Sequence, residues 1–204
     1  MLKASRFLVL GIFVLLSAAS ASQAGTFSLV GVGDVSKPSF SDSTDSYGSK
    51  IGYGGGILFD HGLAPWTSLE IGALYVGRKA DDTTTGIVAS SHAIQVPVLI
   101  RWWMVPMFSI AGGGYYARGI GNIDNTDGSG ASSTVSYADD GYKMNDYGLT
   151  GSVALRLPLS TSMRLYVDGR YNYGLANISS VSDTVKNRDI QVLVGFQFAM
   201  HSSR

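Results

Sequence analysis

The sequence predicts an all-β fold, a single eight-stranded antiparallel up-and-down β-barrel that crosses a membrane. Three observations predict it. About eight runs alternate apolar with small or polar residues, and no helical run follows residue 24. The connections between these runs are alternately long and short. Charged residues are only 15% of the chain, against about 25% in a soluble domain, while 26 residues are Gly.

Residues 1–24 stand apart. Lys3 and Arg6 precede an apolar run from Phe7 to Leu16, and the small-residue stretch SAASASQA closes the segment. This is the layout of a secretory signal peptide, cleaved after Ala24 or Ala21. The barrel domain is then expected to occupy 25–204. Its first run is Thr26 to Gly33. In Ile51 to Phe59, Ile51, Tyr53, Ile57 and Phe59 oppose Gly52, Gly54 and Gly56. In Ser68 to Val76, Leu69, Ile71, Ala73 and Tyr75 oppose Glu70 and Gly72. Successive side chains of a strand point to opposite faces, so each run has one apolar face.

The central stretch runs from His92 to Tyr116. Ile94, Val96, Val98, Ile100 and Trp102 make one face; Gln95, Pro97, Leu99, Arg101 and Trp103 fall on the other. A break at Val105-Pro106 and a second glycine-rich run complete a hairpin, each strand about 10 residues long, the length that crosses a bilayer at a tilt. Pro97 removes a ladder hydrogen bond, so a bulge or local twist is expected there. Three more runs follow: Tyr147 to Leu157, Met163 to Tyr173 and Ile190 to Met200. Long polar loops are expected at Asp34–Lys50, Arg78–Ser91, Arg118–Asn145 and Leu175–Asp189. Short turns are expected at Asp60–Pro65, Val105-Pro106 and Pro158–Ser162. Long loops at one end and short turns at the other match the external and periplasmic sides of a Gram-negative outer membrane.

Alternation alone also fits a soluble barrel. The interior of eight strands is just wide enough to be filled by side chains, so the bulky face must point outward. Aromatics near the run ends (Tyr75, Trp102, Trp103, Tyr116, Tyr147, Tyr171 and Tyr173) suit two interfacial girdles.

On these residues the mature chain resembles the small outer-membrane β-barrel proteins, the OmpA/OmpX-like, porin-family barrel-domain group. IQVPVLIRWW (Ile94 to Trp103) looks like a strand of that group. VGFQFAM (Val194 to Met200) resembles the terminal strand read by the barrel-insertion machinery, and departs from it at Leu193 and in the four residues after Met200. The resemblance implies a monomer surrounded by outer-membrane lipid and lipopolysaccharide.

Inward charges are the main candidates for a site. Glu70 and Arg101 sit on adjacent predicted strands, as do Arg156 and the pair Asp168 and Arg170. Buried charges in a narrow barrel must be paired, and a structural polar network is the expected role. Catalysis has one candidate, His92, beside Ser90 and Ser91 at an external strand end, with the loop acids Asp81 and Asp82 as partners. His61 falls in a predicted turn and His201 in the tail. Asn122 to Gly130 fails the EF-hand spacing and reads as solvated turn chemistry. With no Cys there is neither disulfide nor thiolate metal site, and no cofactor is expected. The net charge is zero, and loss of the leader leaves two more acids than bases, so no basic face for nucleic acid exists. The expected function is a non-enzymatic envelope or surface-interaction role through long external loops. Narrow porin-like passage and lipid-A modification through His92 are the alternatives.

Overall fold

The computed structural model describes residues 25–36, 39–40, 47–82, 86–137, 139, 142–179 and 185–200. The expected leader and His201 lie outside the described residues. Eight strands form the barrel: β1 (Thr26–Ser36), β2 (Tyr47–Ala64), β3 (Thr67–Asp82), β4 (Ile87–Val105), β5 (Phe108–Thr126), β6 (Asn145–Pro158), β7 (Met163–Gly174) and β8 (Arg188–Ala199). Each pairs antiparallel with the next. β8 closes on β1, with Ala199 opposite Thr26 and Asp189 opposite Ser36. Closure pairs the backbone internally, which a hydrocarbon environment requires.

The alternation behaves as expected along β4. Ala93, Gln95, Leu99, Arg101 and Trp103 are buried inside, while Ile94, Val98 and Trp102 face outward. Trp103 therefore leaves the predicted girdle; its indole N–H donates to Ser68 Oγ at 3.2 Å inside the periplasmic end.

Several strands are longer than the sequence suggests. β3 and β4 run through the expected loop Arg78–Ser91 and turn across Gly86, whose φ of 69° is left-handed. β5 continues to Thr126, where the short strand Ser132–Val135 pairs back onto it. The reason is physical: above the lipid a strand needs ladder hydrogen bonds but no apolar outer face, so the alternating signal stops before the strand does. The short turns also narrow, to Pro65-Trp66 and Pro106-Met107.

Pro97 carries no bulge. The β3–β4 register is the same on both sides of it, and the ladder is merely interrupted opposite Gly72 and Ala73. The register shifts in β4 lie instead against β5, between Ser90 and His92 and between Trp103 and Val105.

Inside, leucines fill the space that glycines leave. A Cβ on inward Gly113 would lie 2.2 Å from Val98 O and 2.8 Å from Leu99 Cα. A Cβ on the neighbouring, outward Gly112 would meet nothing within 4 Å. Gly113→Ala is thus expected to destabilise the barrel by about 1–3 kcal/mol through overpacking. Gly112→Ala is expected to change it by less than about 0.5 kcal/mol. Urea unfolding in lipid vesicles, followed by tryptophan fluorescence, checks both.

Candidate functional site

Polar side chains meet inside the barrel at two levels. At the lower level β3, β4 and β7 contribute Glu70, Arg101, Asp168 and Arg170, all buried. Arg101 Nη2 donates to Glu70 Oε2 at 2.7 Å and Asp168 Oδ2 at 3.0 Å. Arg170 Nη2 donates to Glu70 Oε1 and Asp168 Oδ2, both at 2.7 Å. Two guanidinium groups and two carboxylates therefore form a closed square. Ser109 accepts from Arg101 Nη1 at 2.9 Å, and the Ser152 and Tyr166 hydroxyls donate to Asp168 at 2.6 and 2.7 Å. Because β3 and β7 are four strands apart, the Glu70–Arg170 pair ties opposite walls across the lumen.

Arg156 lies outside this square. Register places it opposite Tyr166 rather than Asp168, so it sits nearer the periplasmic mouth. There its guanidinium stacks 3.5 Å from the centre of the Trp103 ring, and Nε donates to Pro106 O.

Val30, Val32, Leu58, Leu74, Val76 and Leu193 form an apolar cluster that runs from Ala154 and Tyr166, beside the square, toward the external end. Gln191 Nε2 then reaches Gln95 Oε1 across the lumen at 3.1 Å. The upper level centres on Arg78, whose Nη2 lies 2.7 Å from Asp189 Oδ2 and 3.4 Å from Asp146 Oδ2. Asp146 also accepts from Asn187 Nδ2 at 2.9 Å and Tyr115 OH at 3.2 Å. Sequence reasoning placed Arg78, Asp146 and Asp189 in or beside loops. Continuing the inward period of Glu70, Leu74 and Val76 reaches Arg78, and that of Ser152 and Thr150 reaches Asp146.

His92 is on the outer half of β4 with its ring stacked on Tyr75 at 5.4 Å. Its Nδ1 has no hydrogen-bond partner. Asp81 is opposite Val88, four positions farther out, and pairs with Lys50 at 3.1 Å. His61 lies in β2, opposite Leu69. In the outer turn, Asp127 Oδ1 accepts from Ser129 Oγ at 2.6 Å and from the Ser129 and Ala131 amides, both at 2.9 Å. These bonds, the Ser129 hydroxyl first, hold its carboxyl below the usual range. Among the described residues no group of three or more His, Cys, Asp or Glu is arranged to hold a metal ion.

The closed antiparallel barrel with its apolar exterior has a family counterpart. The model of the outer membrane protein β-barrel domain matches residues 18–180. The chain belongs to that family. No curated protein matches it in sequence. Among solved structures it is similar to OprG from Pseudomonas aeruginosa, with 14% identity and a TM-score of 0.53 over 88% of this chain and 98% of that one. Ail of Yersinia pestis is similar at 12% identity and a TM-score of 0.47, covering 86% of this chain and all of Ail. The Neisserial surface protein NspA is similar at 15% identity and a TM-score of 0.47, covering 84% and 96%. At these identities the likeness concerns the fold.

As an outer-membrane barrel of Gram-negative bacteria, the molecule turns Leu29, Val98, Leu149, Val153 and Val194 toward lipid, all exposed. Trp66 and Trp102 are exposed at the turn end, and Tyr53, Tyr75, Tyr116 and Tyr147 toward the other. These are the two aromatic girdles that interfaces favour.

Removing one member of a buried ionic cluster strands its partners. Arg101→Met is expected to cost about 3–5 kcal/mol, because two carboxylates are then left with Arg170 alone. Arg156→Ala, which loses a stacking contact at the mouth, is expected to cost about 1 kcal/mol. The same vesicle unfolding assay distinguishes them, and equal losses would contradict the assignment of Arg156 outside the square.

Proposed function

We propose that this barrel is a non-conducting, non-enzymatic surface protein that acts through the structure it raises beyond the membrane. The filling of its lumen supports this reading above all. Paired guanidinium groups, an apolar layer and a glutamine pair succeed one another along the axis, and most of these side chains are under 2% exposed. A water-filled path needs a lumen that this cross-section does not leave.

The projecting part supports the contact role. β2 to β5 continue past the Tyr75 girdle to Tyr47, Asp82, Ile87 and Thr126. From Tyr75 to Asp82 the rise along the strand is on the order of 20 Å. Paired strands give this rim more order than a free loop, a favourable basis for recognition. In this reading the chain is exported by its N-terminal signal and inserted by the barrel-insertion machinery. It stands as a monomer among outer-membrane lipid and lipopolysaccharide.

Lipid-A modification through His92 has less support. An acid that orients the imidazole is the usual requirement for a His base. Asp81, four positions away along the strand, is on the order of 13 Å off.

Reconstituted into planar bilayers, the protein is expected to give a flat current trace; reproducible stepwise openings would overturn the non-conducting reading. Lipid A from cells expressing the wild type or His92→Ala is expected to give the same mass spectrum as lipid A from cells lacking the protein. A modification dependent on His92 would establish an enzyme instead.

A further inference from the structure

The external end of the barrel holds a cavity of about 130 Å³ that none of the roles above uses. Its wall is made by small inward residues on three neighbouring strands: Ala80 on β3, Ala89 and Ala93 on β4, and Ala117 on β5. Where the lower barrel carries Leu74 and Leu99, these positions carry a methyl group, and the space follows.

The cover is built as well. Tyr137 lies over the opening and donates its hydroxyl to His92 O at 3.1 Å. A Cβ on Gly119 would stand 2.6 Å from the Tyr137 ring, so the glycine is what lets that ring lie there. Ile178 completes the cover and is fixed by backbone bonds, accepting from Lys143 N at 2.7 Å and donating to Val185 O at 2.9 Å.

The floor is polar. Arg78 and Asp146 line it, and Arg78 Nε and Asp146 Oδ1 are buried with no hydrogen-bond partner in the protein. A hydroxyl brought to this floor finds a guanidinium that donates and a carboxylate that accepts.

We propose that this cavity binds a small uncharged amphiphile, a single ring or a chain of about six carbons carrying one hydroxyl or primary amide. Size follows from volume, since a cavity of about 150 Å³ accepts benzene. The polar end follows from the floor, where a hydroxyl meets the Arg78 guanidinium as donor and the Asp146 carboxylate as acceptor. Neutrality follows from the charges. An anion would meet the Asp146 and Asp189 carboxylates against one guanidinium, and a cation would pass Lys79 and Lys143 to rest on Arg78. The ligand enters and leaves by the same mouth, because the Gln95–Gln191 pair and the leucine layer close the barrel beneath it.

Fluorine NMR on the full-length protein, folded in detergent micelles, tests this with 4-fluorobenzyl alcohol as probe. The wild type is expected to give saturable broadening or shift of the probe line. Ala117→Leu and Ala89→Leu, which fill the space from two strands, are expected to weaken binding at least tenfold. Each is checked as folded by faster gel migration unboiled than boiled. Asp146→Ala is expected to weaken the alcohol several-fold and leave 4-fluorotoluene unchanged, which separates the polar floor from simple apolar uptake. 4-Fluorobenzoate and 4-fluorobenzylamine are expected to bind more weakly than the alcohol. Absence of saturable binding to the wild type, or an equal response from both folded filled variants, would overturn the site. The second outcome would assign the signal to the micelle alone. Preference for either charged probe would overturn the ligand class.

Discussion

An eight-stranded barrel encloses a space that its own inward side chains must fill. Everything inside this protein follows from that narrowness. Wide residues cannot occupy the same level on adjacent strands, so Leu99 packs where Gly113 leaves room and Leu58 where Gly72 does. Polar residues cannot be left to water, so at the lower level Arg170 meets two carboxylates and Arg101 three, the third being Asp60 at 3.8 Å. Glycine is poor in most strands because it packs nothing. Here it is the counterpart of the leucine across the ladder.

The same constraint shapes both ends. At the periplasmic mouth Trp103 turns inward under the Arg156 guanidinium and closes the barrel with a flat stack. At the external mouth the inward residues shrink to alanine, and the space is roofed from outside by Tyr137 and Ile178. One end is filled by large side chains from the wall, the other covered by residues between the strands. Between them the described inward side chains pack against one another, with the Gln95–Gln191 pair spanning the lumen.

Much of this was legible in the sequence, and the illegible parts have physical causes. The runs around Ile94–Trp103 and Met163–Tyr173 show which residues face inward, because lipid demands an apolar residue at every second position. Period two says nothing about which inward residues meet. Arg156 and Asp168 share a face on adjacent strands, yet register sets Asp168 against Ala154, and Arg101 reaches it from a strand three away instead. Turn geometry fixes that offset, and contacts between walls four strands apart have no local signature. Arg78, Asp146 and Asp189 were hidden for another reason. Their strands outlast the membrane, where the outer face is free to be polar and the alternation fades. The cavity was hidden because alanines signal it only once three strands are side by side.

The ionic square also answers a question that the apolar pattern leaves open. A slip of one residue turns the lipid face inward and is excluded by hydrophobicity alone. A slip of two residues keeps every face where it was and moves a strand by about 7 Å. Aliphatic residues at successive outward positions, such as Val192 and Val194, would barely register the change. Arg101 would register it fully, because its guanidinium would leave Glu70, on the adjacent strand, and Asp168, on another wall of the barrel, and three buried charges would lose partners at once. Packed apolar residues of similar volume fill a core as stably as a buried ion pair or better. What the charges add is discrimination between registers that lipid cannot tell apart, and the square gains it by joining two adjacent strands to a third across the barrel.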